Sequence, residues 1–133
     1  DELGLTAVQL HGSETPGLCA AVGGVRIKTF RVRDDWDPSL LSAYDCEACL
    51  LEAPVPGGLG GGGVSFDWER LRGGVPGRRI ILAGGLDPGN VARAVERVRP
   101  YAVDVSSGIE STVGIKDRAK MEAFMLALRE SCP

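Results

Sequence analysis

A chain of 133 residues, 44% apolar and 25% charged, has the length and balance of one globular domain rather than of a disordered or fibrous protein. Its net charge of −3 speaks against a nucleic-acid binder, which carries a basic stripe or patch. No apolar run approaches the ~20 residues that a membrane-spanning helix needs.

Short apolar strands alternate with helical segments along the chain. LTAVQL (5–10) reads as a strand ending at His11-Gly12. Thr15-Pro16 then opens a helix, threonine as cap and proline at the first helical position, with Leu18, Cys19 and Val22 on its apolar face. VRIKTF (25–30) alternates as a second strand, and Asp37-Pro38 repeats the cap signal for a short helix over 38–43. ACLLE (48–52) is the third strand. A loop with six glycines in positions 57–63 follows, and a short helix begins near Asp67. RIILA (79–83) is the fourth strand, Asp87-Pro88 starts a helix with Val91, Val95 and Val98 on one side, and YAVDV (101–105) is the fifth strand. After the loop SSGIESTVGIK, a last helix from about Asp117 presents Met121, Phe124, Met125 and Leu128 on one side. Strands alternating with helices predict parallel βαβ units in an α/β fold. Periodicity leaves open whether the sheet is doubly wound or part of a closed barrel.

Four cysteines and one histidine are present. Cys46-Glu-Ala-Cys49 has C-x-x-C spacing, but without a second pair or a histidine cluster it lacks the four ligands of a structural zinc site. Nor does it open a helix, where thiolates are stabilised. The expectation is buried or half-buried free thiols for the cysteines, Cys19, Cys46, Cys49 and Cys132, suited to a reducing cytoplasm.

In parallel α/β folds, ligands bind at the carboxyl ends of the strands. The residues there are His11-Gly12, Arg31 and Arg33, Glu52 with the glycine loop, Gly84-Gly85, and Asp104, Ser106, Ser107 and Gly108. Two adjacent strand ends rich in N–H and O–H donors, Gly84-Gly85 and Ser106-Ser107-Gly108, make a plausible phosphate cradle. Asp104 reads either as a cap of its turn or as a carboxylate facing sugar hydroxyls. The arginines are expected to be solvated, and His11 to be a hydrogen-bonded structural residue rather than a base.

VQLHGSE (8–14), the glycine loop ending in FDW (66–68), LAGGLDPGNV (82–91) and DVSSGIES (104–111) followed by GIKD (114–117) occur in that order. Together they resemble the phosphoribosylanthranilate isomerase family of tryptophan biosynthesis, whose members are single (β/α)₈ barrels of TIM type. The resemblance implies an Amadori rearrangement of N-(5′-phosphoribosyl)anthranilate to 1-(2-carboxyphenylamino)-1-deoxyribulose 5-phosphate, a small-molecule phosphosugar substrate, and no cofactor or metal. It places the family's general acid, an aspartate in a pattern like LLD, at Glu52. It matches Gly84, Gly85, Ser107 and Gly108 to phosphate-binding turns and Asp104 to an acidic position near the sugar. Glutamate moves the carboxyl by about 1.5 Å, one carbon–carbon bond, if the backbone is fixed. The family loop GGTG is Gly60-Gly61-Gly62-Gly63 here, without the threonine that could restrain it.

The family's general base, a cysteine in a first-strand motif like KICG, has no counterpart. By the resemblance the chain holds strands four to eight only, residues 1–133 forming one partial barrel domain without the first three βα units. Those units would also carry a phosphate-contacting arginine. The start at Asp1 rather than methionine fits the same expectation. Such a chain would expose two sheet edges, be inactive alone and require the missing segment or a complementing fragment. The alternative is a non-catalytic phosphosugar-binding barrel fragment.

Overall fold

The computed structural model describes residues 3–54 and 66–131; the glycine loop 57–63 and Cys132 lie outside them. Five strands, β1 (Ala7–Leu10), β2 (Val25–Arg31), β3 (Ala48–Glu52), β4 (Ile80–Leu82) and β5 (Ala102–Val103), form one sheet in chain order. All four pairings are parallel, as the alternation of strands and helices requires.

The connections follow from local chemistry. Thr15 accepts a hydrogen bond from the Leu18 amide, and Pro16 occupies the first position of α1 (Pro16–Ala21). Asp37 caps the 3₁₀ turn Pro38–Ala43 through the Ser39 amide, and Asp67 caps the 3₁₀ turn Trp68–Leu71 through the Glu69 amide. Each cap satisfies an amide that the first turn leaves without a partner. Helix α2 (Val91–Val98) begins three residues later than the Asp87-Pro88 signal suggests. Asp87 instead accepts from the Gly89 amide, and Asn90 from the Asp87 amide, so both polar side chains are used in a turn before the helix. The loop after β5 also hides structure. A 3₁₀ turn at Ser107–Ile109 leads into a hairpin, β6 (Glu110–Thr112) and β7 (Ile115–Lys116), which turns at Gly114 with φ +81°. Helix α3 (Arg118–Ser131) completes the described fold.

Parallel register sorts the strand residues onto two faces. Cys49, Leu51, Ile80 and Leu82 face one side and form the core with Val91, Ala94 and Val98 of α2 and Phe124 of α3. Leu51, Leu82, Val91 and Val98 are completely or nearly completely buried, each worth about 1.5–3 kcal/mol relative to exposure. Of the predicted α3 face only Phe124 is fully buried; Met121 and Met125 are 44% and 45% exposed. On α1, Leu18 is exposed while Cys19 is buried. The thiols match expectation: Cys19 and Cys49 are buried, Cys46 half-buried, and all three free. Burial, reinforced by the neighbouring Cys46 sulfur 3.7 Å away, pushes the Cys49 thiol up to about 12, which leaves it inert as a nucleophile. Among the described residues no helix is long and apolar enough to cross a membrane.

One ion pair ties the lower ends of β2 and β3. Glu47 accepts from the Arg26 amide at 2.6 Å and from Arg26 Nη2 at 3.2 Å, and the Arg26 contact lowers the Glu47 carboxyl to about 2. A depressed carboxylate contributes stability above its unfolded value, near 4.5, and loses it as pH falls towards 2. Acid titration followed by circular dichroism should therefore show wild type more stable than Glu47→Gln at pH 6, with the difference shrinking between about pH 4.5 and 2. A difference independent of pH would contradict this.

Candidate active site at the strand ends

The opposite face of the sheet carries Thr29, Arg31 and Glu52 among its strand residues. Thr29, Leu50 and Ile81 are in register across β2, β3 and β4, and Gln9 reaches Thr29 through its amide, 3.4 Å away. Two residues further along, Arg31 and Glu52 are direct register partners on the same face. The ladder Leu51, Leu82, Val103 brings Glu52, Ala83 and Asp104 one step later, with Ala83 N–H bonded to the Leu51 carbonyl and Asp104 N–H to the Leu82 carbonyl. Arg31, Glu52 and Asp104 thus project from the carboxyl end of one face.

Glu52 is 6% exposed, a buried carboxyl rather than a solvated one. His11 Nε2 lies 2.8 Å from Glu52 Oε1, and Arg31 Nε lies 3.4 Å from the same oxygen. His11 is therefore hydrogen-bonded, as expected, and its partner is the candidate acid itself. Arg33 is exposed, but Arg31 departs from the solvated reading: its side chain is only 26% exposed because it packs beside Glu52.

The loop that carries His11 is fixed by a buried cation that the sequence reading passed over. Lys28, 3% exposed, donates to the carbonyls of Gly12 and Thr29 at 3.1 and 2.8 Å and pairs with Glu14 at 3.0 Å. Glu14 in turn accepts from the Gly12 amide. Burial works to raise the Glu14 carboxyl, but the backbone amides and Lys28 outweigh it, and the net direction is downward. The available signal was a lysine in the middle of a strand, which needs a carboxylate nearby. A cleft of about 350 Å³ opens beside these groups, lined by residues including His11, Lys28, Arg31, Arg33 and Tyr44.

The two proposed phosphate turns are brought together. Gly84 and Gly85 have φ of +84° and +66°, a conformation that side chains with a Cβ rarely adopt. Asn90 braces the turn by donating to the Gly85 carbonyl at 2.8 Å. Gly108 lies against the segment beyond this turn so closely that an added Cβ would run into the Leu86 carbonyl oxygen. Ser106, Ser107 and Asp104 are exposed. Lys116 donates to the Ser106 carbonyl at 2.9 Å and sits 3.3 Å from its hydroxyl, held by Glu110 at 2.7 Å. No spacing rule links Lys116 to the turn; the β6–β7 hairpin delivers it.

The family model for N-(5′-phosphoribosyl)anthranilate isomerase matches residues 1–127. The chain belongs to this family. It is 50% identical over 125 residues to the isomerase of Geobacter sp. strain M21, covering 94% of this chain and 61% of the relative. With the isomerase of Pelobacter propionicus it shares 44% over 131 residues, 98% of this chain and 63% of the relative. The crystal structure of the Thermotoga maritima enzyme superposes with a TM-score of 0.78 at 36% identity, over 95% of this chain and 62% of that one. A phosphoribosylanthranilate isomerase in complex with reduced 1-(o-carboxyphenylamino)-1-deoxyribulose 5-phosphate superposes with a TM-score of 0.74 at 34% identity, over 95% and 60%. The chain spans about three fifths of the length of the curated relatives it matches.

The Gly108 contact makes a prediction. Gly108→Ala should force the turns after β4 and β5 apart and destabilise the chain by about 1–3 kcal/mol, the usual penalty of overpacking, whereas Ser107→Ala at an exposed position should leave the thermal midpoint unchanged. Equal midpoints for both variants in a thermal melt would refute the close approach.

Proposed function

We propose that this chain provides the acid and the phosphate site of a phosphoribosylanthranilate isomerase of tryptophan biosynthesis, as strands four to eight of an eight-stranded (β/α) barrel. Residues 1–133 would form one partial domain, working in a reducing cytoplasm with further βα units that supply the base. The observation that carries this reading is Glu52: a buried carboxyl at a strand's carboxyl end, 2.8 Å from His11, on the same face as Asp104 and beside the paired glycine turns. Barrel enzymes work at this end of the strands. An open five-stranded sheet and a match to three fifths of each relative fit a barrel completed by other units.

The substrate of the reading is N-(5′-phosphoribosyl)anthranilate. Its phosphate would lie against the Gly84-Gly85 turn and the segment Ser106, Ser107 and Gly108, where backbone N–H groups and hydroxyls can donate to its oxygens. Asp104 would accept from the sugar hydroxyls. Glu52, as general acid, gives its proton to the furanose ring oxygen while the C1–O bond breaks, and the anilino nitrogen lone pair moves in to form the protonated Schiff base. A base then takes the proton from C2; the C2–H electrons form a C1=C2 double bond as the C1=N π pair returns to nitrogen, and the enolamine becomes the ketone as C1 takes up a proton and the C2 hydroxyl loses one. Cys19 lies on α1, Cys46 precedes β3 and Cys49 faces the hydrophobic core. None of these three stands at the carboxyl end beside Glu52, which suits the reading in which the family's base cysteine belongs to the further βα units.

In the isomerase containing this chain, Glu52→Gln should lower kcat by at least 10²-fold, in line with the usual share of general acid catalysis, while retaining affinity for the reduced product analogue. Isothermal titration calorimetry with that analogue separates binding from turnover. Unimpaired turnover would remove Glu52 from the mechanism; analogue affinity with no turnover in the unsubstituted protein would favour a non-catalytic phosphosugar binder.

A further inference from the structure

Arg31 ends β2 directly beside Glu52, its partner in the strand register. Its Nε and Nη2 nitrogens are shut off from solvent and donate to no acceptor among the described residues. These two nitrogens define one edge of the guanidinium, whose parallel N–H groups match the two oxygens of a carboxylate. A charged donor buried without an acceptor is costly. The carboxylate within ion-pair reach of that edge is Glu52, with Oε1 3.4 Å from Nε. His11 approaches the same oxygen at 2.8 Å.

We infer that Arg31 is the positioning residue of Glu52: its guanidinium edge and His11 together fix the carboxyl of the longer acid. An aspartate on the same backbone would end about 1.5 Å short, one carbon–carbon bond, and out of reach of the arginine. Glutamate at position 52 and arginine at position 31 are thus a matched pair, and the added methylene is what lets them meet. The pairing serves the chemistry in a second way. As Glu52 releases its proton, negative charge develops on its carboxyl, and a fixed guanidinium in a buried site stabilises that charge without reorganisation. This inference rests on the reading of Glu52 as the acid.

The test is a double-substitution cycle in the isomerase containing this chain, with kcat and KM measured for the unsubstituted protein, Arg31→Gln, Glu52→Asp and the pair. Arg31→Gln should lower kcat by about 10²-fold, the cost of misplacing a reacting group by about 1 Å, with KM little changed. Once Glu52→Asp has withdrawn the carboxyl, Arg31→Gln should cost almost nothing more. Independent, multiplicative losses would overturn the inference, as would a raised KM with kcat intact, which would place Arg31 on the substrate. Should Arg31→Gln fail to fold, Arg31→Lys retains the charge and the apolar stem but not the fork; it should still lose kcat, and full kcat in that variant would overturn the inference. Glu52→Gln run alongside keeps the two levels apart. Full turnover there refutes the acid, whereas a dead Glu52→Gln with an unimpaired Arg31→Gln refutes the positioning alone.

Discussion

Parallel pairing puts the carboxyl ends of all five strands at one edge of the sheet, and the register between β2 and β3 decides which side chains meet there. Because Arg31 stands opposite Glu52, a guanidinium and a carboxylate share one face. A slip of one residue would have turned Glu52 towards Leu51's side, among the apolar residues packed against α2. The alternation within ACLLE does two tasks at once. Cys49 and Leu51 feed the helix-covered core, while Leu50 and Glu52 face the other way.

Around that constraint the loops are held by few but specific contacts. The Lys28–Glu14 pair fixes the segment that delivers His11, and Asn90 braces the Gly84-Gly85 turn. Gly108 allows the next turn to press against Leu86. Glu52 and the turns after β4 and β5 are therefore positioned by buried polar contacts and one close backbone approach, placed above a core that α2 and α3 close from the other side. Position by this means is more exact than a loop alone provides.

The fold was legible wherever local chemistry and global architecture agree. Thr15, Asp37 and Asp67 each cap the turn that follows them, as their types and spacing indicate. Asp87-Pro88 carries an equally good signal, yet α2 starts at Val91 because the polar side chains there stabilise a turn first. The β6–β7 hairpin went unread although Val113-Gly114 is a two-residue turn candidate. Its strands are short and exposed, with little apolar alternation to mark them. At the strand ends, the burial of Glu52 and the approach of the two glycine turns agree with their places after strands in the sequence. The place of Arg31 was not legible there, since an arginine after a strand is usually solvated and only pairwise register shows its partner. His11 is hydrogen-bonded, as its reading as a structural residue expects, and its partner is Glu52.

The central claim is that Glu52 serves the ring oxygen of a phosphosugar held at the turns after β4 and β5. The most direct measurement is a crystal structure of this chain, in the barrel that the proposal assigns it to, with the reduced open-chain product analogue, in which the former ring oxygen is the C4 hydroxyl. The account predicts a Glu52 carboxyl oxygen at hydrogen-bonding distance, about 2.6–3.2 Å, from that hydroxyl, with the phosphate against Gly84, Gly85, Ser107 and Gly108. A phosphate bound elsewhere, with Glu52 engaged only by His11 and Arg31, would contradict it.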